Sequence, residues 1–495
     1  MGRIILVAFM FLGIPCHSML TAAWAQEQQP AGSPSLSEAT YLLETWLQAI
    51  LDYDRLPGLS LAVVHDQEIA YARGFGFADL AAGIPATPDT RYGICSISKL
   101  FTAIAIMQLR DAGKLGLDDP VSRHLPWFAP QPPDSAVPPP DPEAPPPTIA
   151  DLLRHTSGLP CEPDQARWTG PERLQLTREE LIARMARTSM SYPPHTRLNY
   201  SNLGYALLGE VIAAVSGMGY EDYVAGKILA PIGMEATVPA ASSAPGERRS
   251  ATAYGRWPRD GIRQALPAAA DMDLAMIPAG GYVSTVQDLA RFAIWQFRVL
   301  EGEQAGVLAA ETLHEMQAIQ WPDPPWGYGF TIWHLGEKQI VGHQGGCPGY
   351  KAQIILCPEE EIAVVAMLNA TDAPQWTIAG ETYRILAPAL LSAREAPAAE
   401  SATRWTKYVG RYTAERAWSE AEVLAWEGEL AVLWVPSPAP LDNLIRLRPM
   451  GEGVFRQINP DGSLGSDYVF GFDRAGGVVG MKFNNNVLLR VGGVE

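Results

Sequence analysis

Lysine is scarce in this sequence: there are seven in 495 residues, with only eight histidines and five cysteines. Basic residues are outnumbered, 37 Lys plus Arg against 54 Asp plus Glu, for a net charge of −17. An acidic surface of that kind argues against nucleic acid or an anionic membrane surface as partner, because both attract cations. It leaves a small-molecule or peptide substrate, and it leaves the oligomeric state open. The sparse cysteines form no Cys-x-x-Cys pair, and His314-Glu315 has no second histidine at metalloprotease spacing, so the sequence offers no metal site and implies no cofactor. Also absent is a Gly-x-Ser-x-Gly nucleophile elbow, which removes the α/β-hydrolase route to a reactive serine. After the N-terminal segment no run is long and apolar enough to be an integral membrane helix.

The N-terminal segment is itself apolar, from Ile4 to Ile14 behind Arg3, and ends in Ala23-Trp-Ala25 before Gln26. A basic start, an apolar stretch and a small-x-small site make a secretory signal, cleaved after Ala25, which predicts a secreted or periplasmic protein. Lipidation at Cys16 is the rival reading, and Pro15 fits it poorly. Export permits disulfides among Cys95, Cys161, Cys347 and Cys357, and all three full pairings stay open. Cys95, beside Ser96, is read as a small buried hydrophobe rather than a reactive thiol.

With 47% hydrophobic residues there is material for a large core. Ser35 to Glu38 form a capping box opening a helix with apolar spacing through Leu42, Leu43, Trp46, Leu47 and Ile50. Residues 59–64 and 69–75 flank His65 to Glu68 as the arms of a hairpin. Proline dominates Pro126 to Pro147, the composition of an extended insertion. Thr148 to Pro160 read as a short helix running into a turn braced by His155. Thr177 to Glu180 and Ser284 to Gln287 read as caps of further helices, the second running through Phe297. Gln339–Gly346, Tyr350–Leu356 and Ile362–Leu368 read as three consecutive strands before a helix from about Gln375 to Ser392. Residues 394–403 have linker composition, and 404–495 read as a separate small β domain of short strands. The expected domains are therefore a signal peptide at 1–25, a main domain at 26–393, the linker, and the β domain.

One stretch combines features that do not ordinarily occur together. Ser96-Ile-Ser-Lys99 leads into an almost unbroken apolar run to Leu109, and a helix apolar on all sides belongs in a core. Lys99 would then sit where a charge is costly unless chemistry uses it. Positions i and i+3 share a helix face, so the Lys99 amine can reach the Ser96 hydroxyl, and an adjacent base is what turns a serine into a nucleophile. Of the seven lysines, Lys99 alone has a serine three residues before it. Two further motifs follow. Tyr200-Ser-Asn202 precedes a long apolar helix closed by Gly217, and His343-Gln-Gly345, followed by Gly346, lies within a strand.

In this order the three motifs resemble those of the penicillin-recognising serine hydrolases, in the branch of class C β-lactamases and D-alanyl-D-alanine carboxypeptidases. The likeness extends from about Pro57 to Leu368 and takes in Leu153 to Pro160, Pro278 to Ser284, Trp326 to Phe330 and Gly342 to Gly349. It implies an α/β fold, with an antiparallel sheet built from both ends of the domain and flanked by helices, an all-helical lobe between, and the site at their junction. The loose likeness of 404–495 to the β-barrel appendages of some peptidases implies a small all-β domain. The resemblance further implies that Ser96 is the nucleophile, Lys99 its assistant and Tyr200 the general base. Asn202 would orient Lys99 and the substrate amide, His343 and Gly345 would line the substrate strand, and the N–H groups of Ser96 and Gly346 would form the oxyanion hole. A phenolate at neutral pH needs Tyr200 lowered by about 3 units, roughly 4 kcal/mol, and one ammonium at about 4 Å with an effective dielectric of about 20 supplies that much.

His343 departs from the lysine that typical β-lactamases carry in Lys-Thr-Gly, and so points away from efficient β-lactam hydrolysis toward a carboxypeptidase, aminopeptidase or esterase. The expected function is an exported serine hydrolase acting through an acyl-enzyme on a D-amino peptide amide, an ester or a β-lactam. The alternative is a catalytically weak or silent protein of the same fold that binds peptidoglycan or β-lactams, against which the intact Ser96, Lys99 and Tyr200 speak.

Overall fold

The structure is a computed structural model that describes residues 33–133, 145–163, 176–242, 250–258, 261–266, 274–303, 306–393, 404–414 and 420–491. The expected signal peptide, the middle of the proline stretch and the 394–403 linker lie outside the described residues. Two compact units are present, Leu51–Tyr383 and a second made of the chain up to Ile50 together with the chain from Arg384. The divisions between the units fall inside two helices, α1 (Leu36–Tyr53) and α5 (Gln375–Ala393).

In the Leu51–Tyr383 unit the long strands are β1 (Gly58–His65), β2 (Glu68–Asp79), β3 (Thr331–Leu335), β4 (Lys338–Cys347), β5 (Tyr350–Cys357) and β6 (Ile362–Leu368). They lie in the order β2-β1-β6-β5-β4-β3, antiparallel throughout, with two-residue strands extending both edges. The sheet thus joins the two ends of the unit, Leu59 lying opposite Leu368, as the sequence predicts. Both β1 and β6 are buried almost end to end, which is why they read as continuous apolar runs rather than alternating ones.

The helix α2 (Ser98–Asp111) starts directly from a 3-10 turn at Cys95–Ile97, and its residues from Ser98 through Met107 are all buried. Phe101 packs edge-on against Tyr282 and Phe292 at 5.6 and 5.4 Å. Burying side chains such as Leu100, Phe101 and Ile104 is worth about 1.5–3 kcal/mol each, ample to hold this helix against the cost of one buried lysine. Helices Ile149–Leu153, Arg178–Met185 and α3 (Asn202–Ser216) belong to the lobe between the two halves of the sheet, and α4 (Val286–Leu300) packs on β1 and β6. The cap of α3 is Ser201, whose Oγ accepts from the Gly204 N–H at 2.9 Å, and Gly217 closes it at φ 74°. For α4 the cap is Thr285, one residue beyond the Ser284 of the sequence reading: Thr285 Oγ1 accepts from the Asp288 N–H at 3.1 Å, while the Ser284 hydroxyl lies 2.7 Å from that of Thr237.

The second unit contains a closed antiparallel barrel of eight strands, from Gly410–Thr413 to Asn486–Arg490, which pair with each other to close it. Its interior is filled by Tyr408, Tyr412, Phe455 and Phe470 among others. The first helix joins this unit through Trp46, whose indole N–H donates to the Ser437 carbonyl at 2.8 Å, and through Glu38, which accepts from the Gly428 N–H. Among the described residues no single helix is long and apolar enough to cross a membrane, and no group of His, Cys, Asp and Glu is placed to hold a metal ion.

Candidate active site

Lys99 is fully buried one helical turn beyond Ser96, and its Nζ lies 3.2 Å from the Ser96 Oγ. Two further bonds fix it, to Asn202 Oδ1 at 2.7 Å and to the Ala279 carbonyl at 2.5 Å. Those two partners can only accept. A neutral amine has two N–H donors, which they consume, and its lone pair is then left for the Ser96 hydroxyl. Burial drives the Lys99 ammonium from an ordinary 10.5 down to about 7, against the opposing pull of the Glu162 carboxylate and of Cys161.

Tyr200 also bonds Ser96, and its ring faces the Lys99 Nζ at 4.9 Å. Desolvation raises its hydroxyl above the ordinary range, Cys161 and Glu162 add to this, and the Ser96 bond only partly opposes it. This corrects the phenolate arithmetic above. The same burial that strengthens a lysine–phenolate attraction disfavours both charged forms, lowering the Lys99 ammonium and raising the Tyr200 hydroxyl, so it favours the neutral amine beside a neutral phenol.

Tyr200 is set by its backdrop. The His155 ring lies 4.4 Å from it, tilted by 35°, and the His155 Nδ1 accepts the Ser201 N–H at 3.1 Å, so His155 braces this corner as the sequence suggests, but from the wall of the site itself. Trp326 closes the same wall, 4.9 Å from His155 and 5.8 Å from His343.

His343 is buried, and its Nδ1–H donates to the Gln344 carbonyl at 2.6 Å. Burial and the nearby Lys99 push it down to about 3, so it is neutral, with Nε2 a bare acceptor that has no partner among the described residues. Gly345 faces the nucleophile segment: a Cβ there would lie 2.1 Å from the Ile94 carbonyl, so only glycine lets β4 come this close. Gly346 faces the other way, toward Lys351 directly across on β5, whose Nζ would lie 3.0 Å from a Gly346 Cβ. Ser96, Lys99, Tyr200, Asn202, His343 and Gly345 therefore come together around one centre, and Gly346 follows Gly345 on the same strand.

Two features escape the sequence reading. Glu162, in a turn that carries no periodic signal, accepts from the Asn202 Nδ2 at 2.6 Å and places a carboxylate in the site. Cys95 is buried, as expected, and is disulfide-bonded to Cys347, a pair the sequence left open without ranking, while Cys161 and Cys357 are free, so no full pairing forms. The bridge follows from the close approach of β4 to the Ile94–Cys95 segment, a contact between parts of the chain far apart in sequence.

A sheet made from both ends of the unit, a helical lobe, and a Ser-x-x-Lys helix meeting a Tyr-x-Asn corner at a strand edge define a penicillin-recognising serine hydrolase fold. A family model described as Beta-lactamase matches residues 43–387, and the chain belongs to that family. Among its relatives, Penicillin-binding protein 4* of Bacillus subtilis strain 168 is 27% identical over 428 residues, which is 80% of this chain and 89% of that protein. Penicillin-binding protein 4 of Amycolatopsis lactamdurans is 25% identical over 327 residues, 63% of this chain and 81% of that one. The octameric penicillin-binding protein homologue of Pyrococcus abyssi superposes with a TM-score of 0.60 at 27% identity, covering 91% of this chain and 100% of that chain. The D-amino acid amidase of Ochrobactrum anthropi SV3, complexed with L-phenylalanine, shares the fold with a TM-score of 0.57 at 23% identity, covering 72% of this chain and 99% of that chain.

Proposed function

We propose that the chain is an exported serine hydrolase that forms an acyl-enzyme at Ser96 on the amide or ester of an acyl group bearing a free amine, with D-amino peptides as the peptide class. The observation that carries this reading is the Lys99 amine, held on Asn202 Oδ1 and the Ala279 carbonyl with its remaining position turned to Ser96. In this scheme neutral Lys99 takes the Ser96 proton as Oγ adds to the carbonyl carbon. The developing oxyanion meets the N–H groups of Ser96 and Gly346, the kind of preorganised donors that contribute most in acyl transfer. The leaving nitrogen or oxygen takes its proton from the Tyr200 hydroxyl, which the proton held on Lys99 replaces. Water then adds to the acyl-enzyme by the reverse route.

Charge supports the substrate class. At the position where a lysine would hold a β-lactam carboxylate, His343 offers an uncharged acceptor. Beside Asn202, the Glu162 carboxylate is a partner for an ammonium. The disulfide suits an oxidising compartment and so supports export. D-Configuration is carried over from the likeness of the three motifs to those of the D-alanyl-D-alanine carboxypeptidases. The test is intact mass after a fluorophosphonate, with and without Ser96→Ala, followed by turnover of D- and L-alanine p-nitroanilides, each with free and N-acetylated amines. A single adduct that vanishes in the variant, with the free-amine D-substrate turned over fastest, is the expected result. A wild type that takes no label sinks the catalytic reading and favours a binding protein on this fold.

A further inference from the structure

Cys95 immediately precedes Ser96, and Cys347 immediately follows Gly346. Their disulfide spans a sequence separation of 252 residues and holds the two Cα atoms 5.8 Å apart. It therefore joins the two chain segments whose N–H groups form the oxyanion hole in the function proposed above. We propose that this bridge is a positioning device for the oxyanion hole, so that turnover at Ser96 requires Cys95–Cys347 oxidised; the inference rests on the serine-hydrolase reading above.

Three observations converge on it. Cys95 sits at φ 47°, in the left-handed region that residues with a Cβ avoid unless their surroundings impose it. That dihedral directs the next peptide, and with it the Ser96 N–H. Hydrogen bonds tie this segment to its own side of the site: Ile94 N–H to the Tyr282 carbonyl at 3.0 Å, Ile97 N–H to the Ile94 carbonyl at 3.1 Å, and the Ser98 hydroxyl to the Cys95 carbonyl at 2.7 Å. The disulfide is the covalent tie across to β4. At that crossing Gly345 lies against the Ile94 carbonyl with no room for a side chain, so a small shift of either segment changes the spacing of the two donors at once. A misplacement of about 1 Å in such a site costs on the order of 100-fold in rate.

Reduction by a dithiol delivers two electrons and two protons: the S–S bond opens to two thiols and the dithiol closes to its own cyclic disulfide. The experiment compares oxidised full-length protein, the same protein after dithiol treatment, and the Cys95→Ala/Cys347→Ala variant. Each is assayed for kcat and KM on a p-nitrophenyl ester, with active sites titrated by a fluorophosphonate. The expected result is a fall of about 10- to 100-fold in kcat per titrated site with KM within about threefold. Reoxidation should restore the wild type and leave the double variant unchanged. The proposal is overturned if kcat per titrated site stays within about twofold of the oxidised enzyme. It is equally overturned if lost activity is matched by lost titratable sites, since the bridge then only keeps the protein folded. An oxidised wild type that takes no fluorophosphonate defeats the serine-hydrolase reading instead, so the two failures are told apart.

Discussion

The acid limb of the acylation rate should report Lys99. Burial lowers this amine from an ordinary 10.5 to about 7, a difference of roughly 5 kcal/mol between its charged and neutral forms. At pH 7 about half the molecules then carry the free amine, against fewer than about one in a thousand for an unperturbed lysine. The assay is the second-order rate of Ser96 labelling by a fluorophosphonate between pH 5 and 9, read by intact mass. It should fall about tenfold per pH unit below 7 and level off above it. His343 is neutral down to about 3 and adds no step near 6.5. Glu162→Gln provides the internal check. The carboxylate favours the ammonium, so its removal lowers the Lys99 value and shifts the limb to lower pH. A limb that stays in place or moves upward in that variant would refute the reasoning, as would a wild-type rate still climbing through pH 9.

Three other outcomes are expected. Tyr200→Phe should lower kcat by about 10²- to 10⁴-fold with an unchanged far-UV spectrum, and because desolvation holds the Tyr200 hydroxyl above its ordinary 10.0, the wild-type profile should show no loss on its account up to pH 9. Gly345→Ala must push β4 away from the Ile94 carbonyl, which would lie 2.1 Å from the new Cβ; labelling of Ser96 should drop at least about 100-fold and denaturant titration should show a loss of about 1–3 kcal/mol. Breaking the bridge, which spans a sequence separation of 252 residues, should lower stability by up to about 5 kcal/mol on chain-entropy grounds, measured as the guanidinium midpoint with and without dithiol.

What was legible in the sequence is what local physics dictates. The Ser35–Glu38 and Thr177–Glu180 boxes announce their helices because each satisfies two otherwise orphaned N–H groups. The three strands 339–346, 350–356 and 362–368 could be read from β-branched runs between turns. Ser96 and Lys99 stood out because a lysine in an apolar helix has to be explained. What stayed hidden depends on contacts between distant segments. Glu162 enters the site through a turn after Gly158 and His155, both with positive φ, and such a turn leaves no periodic trace. The protonation states of Lys99 and Tyr200 follow from burial on all sides, which a pairwise charge argument from sequence leaves out. No local rule could rank three cysteine pairings when the bonded pair is 252 residues apart in sequence.

The placement of α1 with the barrel has a consequence for how the chain is made. The barrel unit is discontinuous: its first piece ends at Ile50 and its remainder begins at Arg384. In biosynthetic order the Leu51–Tyr383 unit is thus an insertion between the two parts of its neighbour, complete before the second part exists. Until Ser437 emerges, the Trp46 indole N–H lacks the carbonyl it finds in the finished fold, and Glu38 lacks the Gly428 amide. Among the described residues, helix α1 is thus made early and bonded late, since the carbonyl and amide that meet Trp46 and Glu38 lie 391 and 390 residues further on.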